Sequence, residues 1–174
     1  WEIADANVDP ASGAGPALNA LTDMAALLYR AQLAGIEVPA ERWRVVSDYA
    51  CKSFPNPGIA FADIHAALAH AMAGNGETLE TLITDADGPA ADTVRPVAEG
   101  FKAIAAQDWA GGIASLTAVM ADHERLGDSR AQRDLIEHTL AHALLRDGKA
   151  AEAKRLLAMH RPHTGMTGAI AGLQ

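Results

Sequence analysis

The sequence predicts an all-α fold in which about eight helices form antiparallel pairs that stack into an α-α superhelix. Long windows rich in alanine and leucine lie between Gly, Pro and Asp residues, as is typical of helices and their ends. Only 5% of the residues are aromatic, and no segment alternates β-branched or aromatic residues with polar ones as a strand does. Tight turns that each join two helices recur at Gly35, Asn75, Asp108 and Gly148, about 33 to 40 residues apart, which is typical of helical repeats.

Residues 1–16 are predicted to be irregular because they contain Asp9-Pro10 and a Ser-Gly-Ala-Gly-Pro run. The helical repeat domain is predicted over 17–160, and it begins with a hairpin over 17–54. The second helix of this hairpin begins at Pro39, since proline suits the first turn of a helix. The apolar residues that repeat at helical spacing in these two helices are Leu21, Met24, Leu28, Ala31, Trp43, Val46, Tyr49 and Ala50.

Three further hairpins are predicted over 58–85, 92–125 and 129–160, followed by a C-terminal tail over 161–174. Pro96 is compatible with the fifth helix only in its first turn, where a backbone N–H has no helical partner to lose. The apolar residues at helical spacing in the second and third hairpins are Phe61, Ile64, Leu68, Met72, Leu79, Leu82, Ile83, Val94, Val97, Phe101, Ile104, Trp109, Ile113, Leu116, Val119 and Met120.

Length and composition predict one globular domain with neither a nucleic-acid nor a membrane partner. The 174 residues have a mass of 18.2 kDa, and 49% hydrophobic with 21% charged residues is ordinary globular usage. There are 22 acidic and 14 basic residues, a net charge of −8, whereas phosphate binding requires clustered Lys and Arg. No apolar run approaches the roughly 18 residues that a membrane span needs. The single cysteine, Cys51, excludes an internal disulfide and a cysteine-built zinc site, so a cytoplasmic location is expected.

The stretch Gly127–Leu135, followed by Leu144–Ala153, is similar to the C-terminal region of the tetratricopeptide repeat protein 38 family. Its Ser-Arg-Ala-Gln-Arg-Asp run is the distinctive part, although Asp128 stands where the family has a second glycine. Phe61–His65 resembles the family's Asp-x-His segment, and Leu18–Ile36 resembles the helix before that segment. The resemblance implies a tetratricopeptide-like superhelix that corresponds to the C-terminal part of a longer family member. It implies no defined chemistry.

Ser129 and Gln132 are predicted to form a capping box, in which each side chain accepts from a backbone N–H at the start of the seventh helix. Arg133 falls on the apolar arc of that helix, beside Ile136 and Leu140, so its guanidinium needs a carboxylate or carbonyl partner. A structural salt bridge is the expected role of Arg133, and anion binding is the alternative.

His65 lies beside Phe61 on its helix and is expected to be a hydrogen-bonded interface histidine, whereas Asp63 projects from the opposite side. His138 and His142 are four residues apart, a spacing that suits a shared metal, but the His-Glu-x-x-His pattern is absent. Neither a metal site nor a cofactor is therefore predicted. Cys51 is expected to be a small buried residue rather than a nucleophile.

A scaffold that binds a protein or peptide on a concave surface formed by the first helices of the pairs is the predicted function. The net charge favours a basic or neutral partner. The alternative is a small-ligand or enzymatic site in the same groove, and it requires the polar side chains to converge. Self-association through the last hairpin is a third hypothesis. The groove candidates are Asp63, His65, His123, Gln132, Arg133 and His138.

Overall fold

A computed structural model describes residues 1–10, 13, 15–127, 130–160 and 170–172. The α-helices of this part of the chain are α1 Glu2–Asn7, α2 Ala17–Leu33, α3 Ala40–Ser53, α4 Ala60–Ala73, α5 Gly76–Asp85, α6 Ala91–Ala105, α7 Trp109–Val119, α8 Arg130–Arg146 and α9 Ala150–His160. A short 3-10 helix, His123–Leu126, lies between α7 and α8. Over the described residues the regular structure is entirely helical, so the predicted all-α class is confirmed.

Helix α1 corrects the prediction that residues 1–16 are irregular. Its first turn carries Glu2 and Asp5, where negative charge is favourable. Asp5 accepts two hydrogen bonds from Arg42 of α3, at 2.5 and 3.0 Å, and the Arg42 guanidinium lies 4.5 Å from the centre of the Trp1 ring. The hydrogen bonds from Arg42 lower the pKa of the Asp5 carboxyl. A helix this short is unstable alone, so distant residues that the local sequence does not reveal hold it in place.

The helices that begin the four pairs, α2, α4, α6 and α8, all end in the same hydrogen-bond pattern. In each, a residue within two positions of the helix end has a positive φ, and two N–H groups bond back to carbonyls of the last turn, as in a Schellman motif. Glycine occupies this position in three of the turns, Gly35 at φ 82°, Gly74 at φ 74° and Gly148 at φ 77°. Gln107, at φ 60°, occupies it in the third turn. The four turns therefore share one geometry although their residues differ.

The first and last pairs of helices also contact each other. Helix α8 packs against α2 as well as against α7 and α9, whereas the units of an open solenoid contact only their neighbours. Beyond α9, the backbone N–H of Ala171 donates to the carbonyl of Leu33 at 2.8 Å, and Ile170 is buried. The side chains of α2 that face inward therefore meet side chains of both α4 and α8.

Helix α4 lies at the centre of the fold and packs against α2, α3, α5 and α6. Every residue from Ala62 to Ala71 is buried, and alanine at five of these positions lets the neighbouring helices approach closely. The polar residues Asp63, His65 and His70 are consequently carried into the interior, where each needs a hydrogen-bond partner.

We expect Gly100→Ala to lower the free energy of unfolding by about 1–3 kcal/mol, because α6 and α7 have no room for an added methyl group. A Cβ at Gly100 would lie 2.8 Å from two side-chain carbons of Leu116, which is fully buried and cannot move aside. Gly76→Ala is the matched control, since a Cβ at Gly76 meets nothing within 4 Å. Urea unfolding followed by circular dichroism compares the two variants. Equal stability of the two would contradict this close packing.

Candidate functional site

Three of the predicted groove candidates, His65, His123 and His138, are buried on neighbouring elements. His65 of α4 donates from Nδ1 to the carbonyl of Phe61 at 2.7 Å, which leaves Nε2 as the acceptor nitrogen of a neutral ring. Burial, together with a smaller effect of the positive charge of Arg30 on α2, lowers the pKa of His65 to about 4. The Phe61 and His65 rings pack edge to face at 4.9 Å. The predicted role of His65 as a hydrogen-bonded interface residue is confirmed.

His123 forms a buried pair with Glu137, a residue that the sequence reading did not single out. Nδ1 of His123 donates to the carbonyl of Met120 at 2.7 Å, and Nε2 lies 3.4 Å from Oε1 of Glu137. The hydrogen bond to Glu137 raises the pKa of His123, which favours the doubly protonated ring. The pair thereby ties the 3-10 helix to α8.

His138 and Arg133 lie at the edges of the same region. Burial lowers the pKa of His138, and the nearby charge of Arg30 lowers it further. Arg133 is half-buried, and its charge lowers the pKa of His123, which places the two side chains near each other. We call Arg30, His65, His123, Glu137 and His138 the histidine cluster. The predicted capping box lies outside the described part of the chain, since neither Ser129 nor the Gln132 side chain belongs to it.

The histidine cluster has the character of a packed interior rather than of a reaction site. Backbone carbonyls accept from His65 and His123, and burial keeps His65 and His138 neutral at pH 7. None of its members is a hydroxyl or thiol nucleophile. The cluster therefore resembles a polar part of the core, in which hydrogen bonds fix the His65 and His123 rings.

Asp63 is separated from His65 and faces a different cleft, as its predicted place on α4 requires. This cleft lies between α3, α4 and α5, has a volume of about 360 Å³ and is also lined by His70 and Cys51. Oδ2 of Asp63 accepts from the N–H of Gly58 at 2.9 Å, and burial raises the pKa of Asp63. Cys51 is exposed, which corrects the expectation that it is buried. It follows the buried Ala50 by one residue, and a helix turns its side chain away from the core over that step.

His70 is held by Ser47 of α3. Oγ of Ser47 accepts from Nδ2 of Asn75 at 3.3 Å and forms a hydrogen bond with Nδ1 of His70 at 2.8 Å. Burial lowers the pKa of His70 to about 4. Within the described ranges, no three His, Cys, Asp or Glu side chains are arranged to hold a metal ion.

An apolar groove lies between α1 and α2 and has a volume of about 500 Å³. Its walls include Trp1 and Ile3 of the N-terminal segment, Leu27 of α2, and Ile36 of the following loop, all of them exposed. Sequence reasoning missed this groove because it treated residues 1–16 as irregular. The apolar residues Trp1, Ile3 and Val8 within that segment were the available signal.

No helix in the described part of the chain has both the length and the apolar character that a membrane crossing requires. Comparison with family models, with curated proteins and with solved structures finds no match.

Proposed function

We propose that this protein is an interaction module that binds an amphipathic helix of a partner protein in the α1–α2 groove. The observation that carries the proposal is the exposure of four large apolar side chains around one cavity, with Ile3 at 82% and Ile36 at 55%. Contiguous apolar surface of this kind is unfavourable in water unless another molecule covers it. A helix that lays its apolar face into such a groove is a common mode of peptide recognition.

The charges beside the groove favour a basic partner. Glu2 lies between two lining residues, Asp23 precedes Leu27 by one helical turn, and Glu37 follows Ile36. All three carboxylates are exposed. A partner helix with Lys or Arg beside its apolar stripe would complement them, and the net charge of −8 would speed its approach.

A scaffold of stacked helix pairs, as the tetratricopeptide resemblance implies, suits this role because a rigid array presents a groove without the entropy cost of ordering it. The groove proposed here differs from the concave surface that the sequence suggested, since His65 and His138 of that surface are buried. The burial of both rings and the hydrogen bond of His65 favour a packing role over the enzymatic alternative built on His65, Arg133 and His138.

We expect Ile36→Asp to weaken the binding of a basic amphipathic peptide about tenfold or more, because a carboxylate replaces apolar surface in the interface. The probe is a labelled synthetic helix of about 18 residues, with a leucine stripe flanked by lysines. Ile59→Asp is the matched control, since Ile59 is also 55% exposed but lies outside the groove. Fluorescence anisotropy measures the dissociation constant for each protein.

Two further measurements keep this experiment decisive. A peptide with glutamate in place of lysine should bind more weakly, and the difference should shrink at high salt. Equal binding by the Ile36→Asp and Ile59→Asp proteins would contradict the proposed site. Concentration-dependent dimerisation that Ile36→Asp abolishes, seen by sedimentation, would instead assign the groove to a second copy of this chain.

A further inference from the structure

A third cavity, also a cleft, lies where the C-terminal ends of α2, α4 and α6 meet, and α7 and α8 close its side. Its volume is about 430 Å³, which is within the usual range for small-molecule sites. It shares no lining residue with the α1–α2 groove or with the cleft of Asp63. We call it the aromatic cleft because Tyr29, Trp109 and His142 form its walls.

The aromatic walls are fixed by their neighbours. The Trp109 and His142 rings pack edge to face, with centres 5.8 Å apart and an angle of 80° between their planes. Tyr29 is buried and packs edge to face against Phe101 at 6.2 Å. The cleft is thus largely formed before any ligand enters, which reduces the ordering that binding requires.

Two buried polar atoms of these walls lack hydrogen-bond partners among the described residues, the hydroxyl of Tyr29 and Nδ1 of His142. The nearby Thr139 hydroxyl donates to the carbonyl of Leu135 and can still accept from the Tyr29 hydroxyl. Both atoms are buried within the walls, so they add polar character there without reaching the surface of the cleft. Other side chains that line the cleft would therefore make the polar contacts with a ligand.

Two amide side chains stand at the mouth of the cleft, Gln32 from α2 and Gln107 from the turn between α6 and α7. The amide nitrogen of Gln32 donates to the sulfur of Met72, at 4.0 Å. Gln107 occupies the positive-φ position that glycine fills in the other three turns of this kind. A glutamine at φ 60° is less stable there than glycine, so the backbone of this turn does not itself favour glutamine.

None of the described lining residues carries a full charge, because burial and then Arg146 lower the pKa of His142 and keep its ring neutral at pH 7. An ammonium or carboxylate group in this cleft would have no opposite charge among those residues. A flat uncharged ring fits better, since it can pack against aromatic walls while an amide side chain pairs with a donor and an acceptor on its edge.

We propose that the aromatic cleft binds a planar, uncharged heteroaromatic ring whose edge carries adjacent hydrogen-bond donor and acceptor groups, of the nucleobase type. The Arg146 guanidinium lies 5.2 Å from the centre of the Trp109 ring, so a substituent that leaves the cleft there meets a positive charge. This site is independent of the peptide groove and can be present or absent whatever the outcome there.

Adenosine is the test probe, and nuclear magnetic resonance of the three tryptophan indole N–H groups is the measurement. We expect millimolar adenosine to shift the Trp109 signal and leave those of Trp1 and Trp43 unchanged. Gln32→Ala combined with Gln107→Gly should weaken the binding about tenfold or more, because both amides that face the ring are lost. Gln107→Gly should also keep or raise the melting temperature, since glycine is unstrained at φ 60°.

Two controls separate recognition from changes in fold. Asn19→Ala, at an exposed position on the same helix as Gln32, should bind adenosine like the unaltered protein. Agmatine, an aliphatic cation, should leave the Trp109 signal in place. The proposal is overturned if adenosine does not shift the Trp109 signal, if the double variant binds adenosine equally well, or if agmatine binds there instead.

Discussion

Phe101→Ala is expected to lower the free energy of unfolding by about 3–5 kcal/mol, because the large side chain leaves a cavity at the centre of the fold. Phe101 is 0% exposed, and its ring packs edge to face on Tyr29 of α2 from its place on α6. The ring therefore joins two helix pairs that are distant in sequence. Urea unfolding, monitored by circular dichroism, measures the loss.

Tyr29→Phe is the matched control for this experiment. It keeps the ring that contacts Phe101 and removes only a buried hydroxyl that lies beside Thr139, so the free energy of unfolding should stay within about 1 kcal/mol or rise. A loss of less than about 1 kcal/mol for Phe101→Ala would mean that the contact between α2 and α6 is not part of the stable core.

The sequence was informative wherever local pattern determines structure. Phe101 and Leu68 were placed on apolar stripes from their spacing alone, and both are fully buried. Pro96 was expected in a first turn but lies well inside α6. Since α6 begins at Ala91, the helix tolerates the missing N–H in its second turn, with surrounding contacts offsetting the lost hydrogen bond.

Contacts between residues that are far apart in sequence could not be predicted from local sequence pattern. The contact of Arg42 with Asp5 and Trp1, which holds α1, joins segments far apart in sequence. The contact between α2 and α8 places the charge of Arg30 near His138. No pattern within either helix predicts this contact. The aromatic cleft likewise arises only when the ends of α2, α4 and α6 meet. Candidate sites in this fold are thus products of tertiary packing rather than of sequence motifs.

Acidification from about pH 7 to pH 5.5 should lower the free energy of unfolding by about 2–3 kcal/mol through His65 and His70. Both have a pKa of about 4 in the folded protein, whereas the ordinary pKa of histidine, 6.5, applies in the unfolded chain. Between these values the unfolded state binds protons that the folded state does not. Stability therefore rises with pH in this range, and it is lost as the pH falls below 6.5. Circular dichroism at each pH, with urea as denaturant, measures the slope.

The charges around each ring set the direction of this effect. Arg30 lies near His65 and adds to the cost of protonating it, whereas Asp48 partly offsets the burial of His70. His123 works in the opposite direction, since Glu137 raises its pKa, so its contribution is present at low pH and is lost as the pH rises.

Replacement of His70 by Asn tests the assignment directly. Asparagine can still form a hydrogen bond with Ser47 but does not titrate, so the pH slope between about 6.5 and 4 should fall by close to half. Replacement of the solvent-exposed Asn19 by Ala should leave the slope unchanged. An unaltered slope in His70→Asn would assign the acid sensitivity to other groups, with His138 and His142 next, because burial lowers the pKa of both.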